Sequence, residues 1–346
     1  RTLIMYTLSV SKKEIARAGE RICHCIQTNK ECDEKDTLIM HEWRMLHLYP
    51  LQRITEYLER EAKDVNKNAL ISSRIKRLPS ITGKLIRFPE MKLHKMQDLG
   101  GCRAIVDDIA QVNEIKDRIL SLKFMHQLKR VDDYIQETKE SGYRSLHIVH
   151  AFNNIKYPQL NGLKIETQIR TTIQHSWATA VEMVGIFRRE SLKSGMGDPG
   201  WLKFFVLVSK LFYLIESKDK NLSRSHNAIS DELKTLTIEL NAFKVLNAFS
   251  HIAEHINNSE RYSSGLCVIS VDTEQGKIEV TGFSGNNFHQ KASAFYMETE
   301  QSCTKGNKKV AAMVSVNSIN ELKTAYPAFF LDTKTFLNNL SRFIFS

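Results

Sequence analysis

The chain has 346 residues, of which 42% are hydrophobic and 25% are charged. This length exceeds the needs of one small core and predicts two domains, or one domain with an appendage. No apolar run approaches the roughly 18 residues of a membrane span. Six cysteines in so long a chain do not make a disulfide framework, so we expect a cytoplasmic protein without a membrane segment.

The net charge of +10 is unevenly distributed. Residues 1–200 contain 33 Lys/Arg against 25 Asp/Glu, whereas the remainder contains 16 against 14. The segment 74–103 is the most basic, with eight Lys/Arg against Glu90 and Asp98. Such a field attracts polyanions, either nucleotide phosphates or an RNA backbone. A solvated basic face is the alternative that charge alone leaves open.

The first 70 residues show helical periodicity. Apolar residues recur at helical spacing over 9–27 and 37–65, with Pro50 as the expected break. Cys23, Cys25 and Cys32 lie close together in sequence with His24, but no second paired motif accompanies them. Zinc is therefore the less favoured interpretation of this cluster.

Residues 70–190 alternate between helical and strand patterns. We predict a helix or turn-helix over 70–93, a strand ending at Val106, a helix over 110–122 and a strand over 124–131. Strands over 146–151 and 165–170 and a helix over 171–188 follow. This order predicts an α/β (α+β) domain with a mixed sheet flanked by helices.

The strand around residue 166 has an unusual polar face. Glu166, Gln168 and Arg170 alternate with apolar residues or threonine, so all three side chains share one side of the strand. A carboxylate beside an amide and a guanidinium suits a site that handles phosphate and a metal ion. The sequence therefore predicts that this face lines a functional site.

Five motifs in this region together resemble the synthetase domain of RelA/SpoT-type enzymes over about residues 70–190. They are Arg74-x-Lys76-x-x-x-Ser80-Ile81-x-x-Lys84, Asp98-Leu99-x-x-x-Arg103, Asp133-Tyr134-Ile135-x-x-x-Lys139-x-x-Gly142-Tyr143-x-Ser145-Leu146-His147, Glu166-x-Gln168-Ile169-Arg170-Thr171 and His175-x-Trp177-Ala178. The resemblance implies a nucleotidyltransferase-like fold. It also implies a pyrophosphokinase, which moves the β,γ-diphosphate of ATP to a ribose 3′-hydroxyl and releases AMP.

The same resemblance implies roles for individual residues. Asp98 and Glu166 would hold Mg²⁺, and Glu166 either completes that metal site or takes the hydroxyl proton. The ATP phosphates would be bound by Arg74, Lys76, Ser80, Lys84 and Arg103. The acceptor would be contacted by Lys139, Tyr143, His147, Gln168 and Arg170, with Tyr143 stacking on its base. His175 and Trp177 belong either to the site or to the core.

The last part of the chain predicts a helical linker and a small α+β unit. Residues 201–215 and 231–256 predict two long helices. A hairpin over 266–271 and 277–283, a helix over 288–299, a strand over 309–316 and helices over 319–325 and 333–344 follow. The expected domains are 1–70 (helices), 71–200 (synthetase), 201–260 (helical extension), 261–325 (small β-rich regulatory unit) and 326–346 (anchor helix).

A second resemblance concerns the final 80 residues and the overall size. They resemble the fused toxin–antitoxin synthetases of the CapRel kind, in which a Tyr-x-x-Tyr segment blocks the ATP site until a phage protein relieves the block. Here Tyr326 and Phe329 occupy the corresponding positions. The resemblance implies that they are autoinhibitory, whereas their spacing also suits two core aromatic residues.

Three functions follow as hypotheses. The first is an autoinhibited toxin that pyrophosphorylates the 3′-terminal adenosine of tRNA, stops translation and acts in anti-phage defence. The second is synthesis of a guanosine alarmone with GDP or GTP as acceptor. The third is a non-catalytic RNA-binding module, which the presence of both Asp98 and Glu166 disfavours. Hydrolase activity is not expected, because the 70 residues before Arg74 are too few for a hydrolase domain.

Overall fold

The computed structural model describes residues 10–121, 125–188, 192–217, 223–257, 265–272, 278–304, 309–315 and 329–344. The chain divides into two compact units. The first unit comprises residues 1–134 and 145–171, and the second comprises residues 135–144 and 172–346. Among the described residues, no helix is long and apolar enough to span a bilayer. The five-domain division expected from the sequence stays a prediction.

Three helices open the first unit, as predicted. They are α1 (Lys12–Gln27), α2 (Glu34–Met45) and α3 (Leu48–Val65). The Ser11 hydroxyl caps α1 by accepting a hydrogen bond from the backbone N–H of Glu14 at 3.2 Å. The break in the second helical stretch falls at residues 46–47, just before Pro50. Pro50 lies in the first turn of α3, where a missing N–H removes no helical hydrogen bond.

Five strands, which form one sheet, and two helices complete this series of elements in the first unit. They are β1 (Leu70–Ile75), α4 (Leu78–Arg87), β2 (Gly100–Val106), α5 (Ile109–Ser121), β3 (Gln127–Asp133), β4 (Leu146–Ala151) and β5 (Lys164–Thr171). The strand order is β1-β2-β5-β4-β3. Strands β2 and β5 are parallel and the other neighbours are antiparallel, so the predicted mixed sheet is confirmed.

The prediction of a helix or turn-helix over 70–93 was wrong for its first third. Residues 70–75 form the edge strand β1, which pairs antiparallel with β2. Strand β1 is mostly exposed, and even Leu70 is open to solvent. An edge strand of this kind has no buried face, so apolar and polar residues need not alternate along it and the period-2 pattern of a strand is missing.

The two faces of the sheet differ in chemistry. Helix α3 packs against β1 and β2, and α5 packs against β5. Cys102 and Thr167 lie on the covered side, where their side chains are 3.4 Å apart. The opposite side carries Glu166, paired in register with Gly101 of β2, and Gln168, paired with His147 of β4. The polar face predicted for β5 is therefore confirmed.

The second unit is helical with a small sheet. Its elements are α6 (Thr172–Arg188), α7 (Pro199–Ser217), α8 (Ser223–Glu239), α9 (Ala242–Asn257), β6 (Leu266–Asp272), β7 (Ile278–Phe283), α10 (Phe288–Thr304), β8 (Lys309–Ser315) and α11 (Phe329–Ile344). The antiparallel order β7-β6-β8 contains the predicted hairpin. Helix α11 packs on α6 and places Phe336 against Phe205 and Phe212, with ring centroids 6.2 and 5.5 Å away.

The single helix predicted over 231–256 was wrong. The segment is divided between α8 and α9 at Leu240 and Asn241, and Asn241 has a φ of 47°. Asparagine tolerates this left-handed conformation better than most residues, so the chain can turn there while the apolar spacing continues. The predicted helix over 319–325 and the side chain of Tyr326 lie outside the described residues.

Candidate active site

Asp98 lies just before β2 and is bound by two lysines. Its Oδ2 accepts from Lys76 Nζ at 2.6 Å and from Lys84 Nζ at 2.8 Å. Lys76 follows β1 and Lys84 comes from α4, so three segments converge on one carboxylate. Burial alone would raise the pKa of Asp98, but the charges of the two lysines outweigh it and hold that pKa below its usual range.

The other oxygen of Asp98 fits a cation ligand. Oδ1 is buried and accepts no hydrogen bond in the part of the chain that the structure describes. Mg²⁺ prefers oxygen ligands, and it commonly takes one or two carboxylates together with substrate phosphates and water. No group of three or more His, Cys, Asp or Glu side chains arranged to hold a metal occurs among the described residues, so the cysteines near residue 25 form no such cluster there.

Glu166 lies on β5, and both of its oxygens are held. Oε1 is 3.1 Å from His147 Nδ1, and Oε2 accepts from Gln168 Nε2 at 2.8 Å. Burial would raise the pKa of Glu166. The hydrogen bond and charge of His147, the Gln168 hydrogen bond and the charge of Lys84 together lower it to about 2.

The two carboxylates share one neighbour. Lys84 makes an ion pair with Asp98, and its charge also helps to lower the pKa of Glu166. The parallel register of β2 and β5, with Gly101 opposite Glu166, places the start of β2 beside that carboxylate. Both carboxyl side chains are about 15% exposed, so neither is aimed into a fully apolar interior.

The remaining residues that the resemblance assigns to ATP lie on β1, α4 and β2. Arg74 is exposed on β1, opposite Gly101, and Ser80 is exposed in the first turn of α4. Arg103 of β2 donates from Nε to Gln168 Oε1 at 3.4 Å. A triphosphate that entered here would meet cations from β1, α4 and β2, which is the arrangement that phosphoryl transfer requires.

Arg170 differs from the contact predicted for it. Its side chain is 0% exposed, the largest of the fully buried side chains. Nη2 donates to Gln168 Oε1 at 3.4 Å. In this conformation the guanidinium is enclosed on the same face of β5 as Gln168, and the acceptor contact of Arg170 stays a prediction.

Lys139 and Tyr143 belong to the second unit. Tyr143 is only 5% exposed, and the ammonium groups of Lys139 and Lys193 lie 5.4 and 5.7 Å from its ring centroid. The Trp177 ring is 6.5 Å away at a tilt of 59°. A base could stack on Tyr143 only after these neighbours moved.

His175 and Trp177 are buried residues of α6. His175 Nε2 is 3.2 Å from Asp332 Oδ2 of α11, and Trp177 Nε1 donates to the carbonyl oxygen of Phe205 at 2.8 Å. Both residues therefore contribute to the packing of the second unit. Their interpretation as core residues, which the sequence left open, is the one that these contacts favour.

A basic cluster in the first unit was missed. Lys164 is two residues before Glu166 on the same face of β5. Its pKa is lowered by burial and then by the charges of Lys129, Arg130, Lys12 and Lys95. Strand alternation from Glu166 could have identified Lys164, but nothing in the sequence brings Lys12 and Lys95 to it. We call these five residues the basic cluster.

Residues 73–187 match the family described as a region found in RelA / SpoT proteins. The predicted resemblance to RelA/SpoT-type proteins is thereby confirmed for this segment.

Two curated relatives from Bacillus subtilis strain 168 match a part of the chain. GTP pyrophosphokinase YjbM is 34% identical over 116 residues, which is 32% of this chain and 52% of the relative. GTP pyrophosphokinase YwaC is 35% identical over 118 residues, which is 31% of this chain and 53% of the relative. The chain thus spans about half the length of the curated relatives it matches.

Among solved structures, small alarmone synthetase 1 from Bacillus subtilis bound to its product pppGpp aligns at 22% identity and a TM-score of 0.42, over 51% of this chain and 94% of that one.

The low pKa of Glu166 predicts acid-dependent stability. Its pKa of about 2 lies below the ordinary 4.5, so its stabilisation is present above 4.5 and is lost as the pH falls towards 2. We expect the free energy of unfolding of the wild type, relative to Glu166→Gln, to be roughly 2 kcal/mol smaller at about pH 3 than at about pH 6. Urea unfolding at both pH values measures this difference. In a His147→Gln background the dependence should fall by at least about half, and equal differences at both pH values would contradict the lowered pKa.

Proposed function

We propose that this chain is an ATP pyrophosphokinase that transfers the β,γ-diphosphate of ATP to a ribose 3′-hydroxyl. The observation that supports it most is Lys84, which makes an ion pair with Asp98 and whose charge also helps to lower the pKa of Glu166, so that two ionised carboxylates share one cation. In the reaction, the 3′-oxygen bonds to the β-phosphorus, the bond from that phosphorus to the bridging oxygen of AMP breaks, and the hydroxyl proton is released. The names of the relatives support the same chemistry.

In this proposal the residues of the first unit act by positioning and charge. Asp98 and Glu166 would hold Mg²⁺, which when bound offsets the phosphate charge and orients the diphosphate for in-line attack. Lys76 and Lys84 neutralise Asp98 before ATP binds and are placed to bind its phosphates afterwards. Arg74, Ser80 and Arg103 surround the same region.

The lowered pKa favours one of the two roles open to Glu166. A general base works best when its pKa is near the operating pH. A carboxylate with a pKa of about 2 stays ionised but accepts a proton poorly. We therefore assign Glu166 to metal binding and to orienting the hydroxyl, with His147 holding it in place.

Label transfer from ATP that carries a radioactive γ-phosphate tests this function. With Mg²⁺ and GDP, GTP or tRNA present, we expect one acceptor to gain label and AMP to appear. Asp98→Asn and Glu166→Gln should each lower kcat at least about a hundredfold, because each removes a charged ligand. Glu59→Gln and Asp117→Asn, both exposed, serve as controls. Label on no acceptor, in the wild type and in Tyr326→Ala and Phe329→Ala alike, would favour the non-catalytic RNA-binding module instead.

A guanine nucleotide is the first candidate acceptor. Two of the relatives are named GTP pyrophosphokinases. His147 and Gln168, which the resemblance assigns to the acceptor, lie on the same face as Glu166. On this proposal the product is a guanosine alarmone.

The tRNA 3′ end is the second candidate, and the basic cluster is the observation that favours it. Arg130 pairs in register with Val149, which pairs with Glu166, so the cluster adjoins the proposed reaction site across the sheet. Among the described residues Lys12, Lys95, Lys129 and Lys164 make no ion pair, whereas Arg130 pairs with Asp132 at 2.7 Å. Unpaired cations spread over several elements suit a chain of phosphates better than one nucleotide.

Salt-dependent RNA binding tests the second candidate. We expect Lys12→Gln/Lys95→Gln/Lys129→Gln to weaken binding of a labelled single-stranded RNA ending in CCA and to lower the slope of log K against log salt by about two, since each lost phosphate contact removes about 0.7. The matched control is Lys35→Gln/Lys63→Gln/Lys210→Gln, three exposed lysines outside the cluster. Equal slopes in the two variants would argue against RNA at this surface and leave the guanine nucleotide as acceptor.

We further propose that the C-terminal part inhibits the enzyme until a phage protein releases it, as the CapRel resemblance implies. Phe329 begins α11, and Tyr326 precedes it outside the described residues. Helix α11 buries Phe336, Leu340 and Ile344 within the second unit. A truncation near Arg261 would therefore damage the core of this unit as well as remove the inhibitory segment, so point substitutions are the better test.

Tyr326→Ala and Phe329→Ala should each raise the rate of label transfer and the toxicity of the expressed protein, because the blocking side chain is shortened. Transfer rates of the purified variants and growth after induction measure the effect. Phe295→Ala in α10, an exposed aromatic residue, is the control. Rates that equal the wild type in both variants would refute autoinhibition by this segment.

A further inference from the structure

Three side chains of one strand form a chain of hydrogen bonds that ends on a carboxylate. The Gln168 carbonyl oxygen accepts from Arg170 Nη2 and from Arg103 Nε, each at 3.4 Å. The Gln168 amide nitrogen donates to Glu166 Oε2 at 2.8 Å. Gln168 thus links two guanidinium groups to Glu166.

The chemistry of the Gln168 amide fixes the direction in which these hydrogen bonds run from donor to acceptor. The oxygen of a glutamine amide can only accept hydrogen bonds, and its nitrogen can only donate them. Guanidinium groups can only donate, so they select the orientation in which the Gln168 oxygen faces them and its nitrogen faces Glu166. In the flipped orientation the amide oxygen would lie against the carboxylate and repel it.

Of the two guanidinium donors, Arg170 is the one that we expect to keep its position when ATP binds. Arg103 is implied as an ATP contact, so its position is expected to change when ATP binds. Arg170 is 0% exposed, and neither its Nε nor its Nη1 has a hydrogen-bond partner among the described residues. A buried guanidinium that makes so few contacts is costly, and such groups persist where they hold another group in place.

We propose that Arg170 is a positioning residue: it fixes the Gln168 amide, which in turn orients the Glu166 carboxylate for the metal ion. This rests on the proposed function, because it assigns Glu166 to metal binding. It replaces the acceptor contact implied for Arg170 by the resemblance. His147 holds Oε1 and Gln168 holds Oε2, so both oxygens of Glu166 have set directions. Residues that orient a metal ligand in this way typically affect metal affinity about 10- to 100-fold.

Metal binding separates this role from an acceptor contact. Mn²⁺ serves as the probe, titrated by electron paramagnetic resonance in the presence of α,β-methylene-ATP, and GDP binding is measured by calorimetry. For Arg170→Met we expect Mn²⁺ affinity to fall about tenfold while GDP affinity changes less than about twofold. Arg170→Lys, which keeps the charge and one possible donor to Gln168, should recover part of the Mn²⁺ affinity.

A double-mutant cycle tests whether Arg170 acts through Gln168. If it does, Arg170→Met/Gln168→Leu should bind Mn²⁺ no more weakly than Gln168→Leu alone. Additive losses, unchanged Mn²⁺ affinity, or a loss confined to GDP would each overturn the proposal. Thermal unfolding checks that the variants fold, and Arg170→Lys carries the comparison if Arg170→Met does not.

The outcome is separable from that of the proposed function. Absence of label transfer from ATP to every acceptor, in the wild type and in Tyr326→Ala and Phe329→Ala alike, would refute the pyrophosphokinase. The Mn²⁺ titration requires no transfer, so it addresses Arg170 and Gln168 in either case.

Discussion

The candidate site in the first unit depends on a balance of charge between two mostly buried carboxylates and the cations around them. Asp98 and Glu166 remain ionised although burial opposes it, because Lys76, Lys84 and His147 offset that cost. The same cations are those that a triphosphate would attract. On the proposed function, the cations that would bind phosphate are now paired with protein carboxylates. Binding of ATP with a divalent cation would then replace these ion pairs with contacts to phosphate and metal.

Sheet topology makes this balance possible. Parallel pairing of β2 with β5 brings the carboxylate that precedes β2 near the one within β5, although 67 residues separate Asp98 from Glu166 in the sequence. Rigid strands fix such geometry better than loops do. The loop of residues 135–144, in contrast, belongs to the second unit, and its tyrosine is covered by two lysines.

Much of this could be predicted because the signals were local. Alternation in β5 identified one polar face, and five motifs in order identified the RelA/SpoT-type domain. Strand β1 was missed because an exposed edge strand lacks a buried face, and the turn at Asn241 was missed because apolar spacing runs through it. The burial of Arg170 and the effect of the Lys12 charge on Lys164 arise from tertiary packing, which no local pattern encodes.

The place of α11 in the second unit has a consequence for how the protein is made. Phe336, Leu340 and Ile344 fill the interior next to α6, and Asp332 pairs with His175. During synthesis, α6 leaves the ribosome long before α11 does, so this interior stays open until α11 emerges. We expect the second unit of a nascent chain to stay unfinished until α11 has been translated, with the apolar residues of its interior exposed until then.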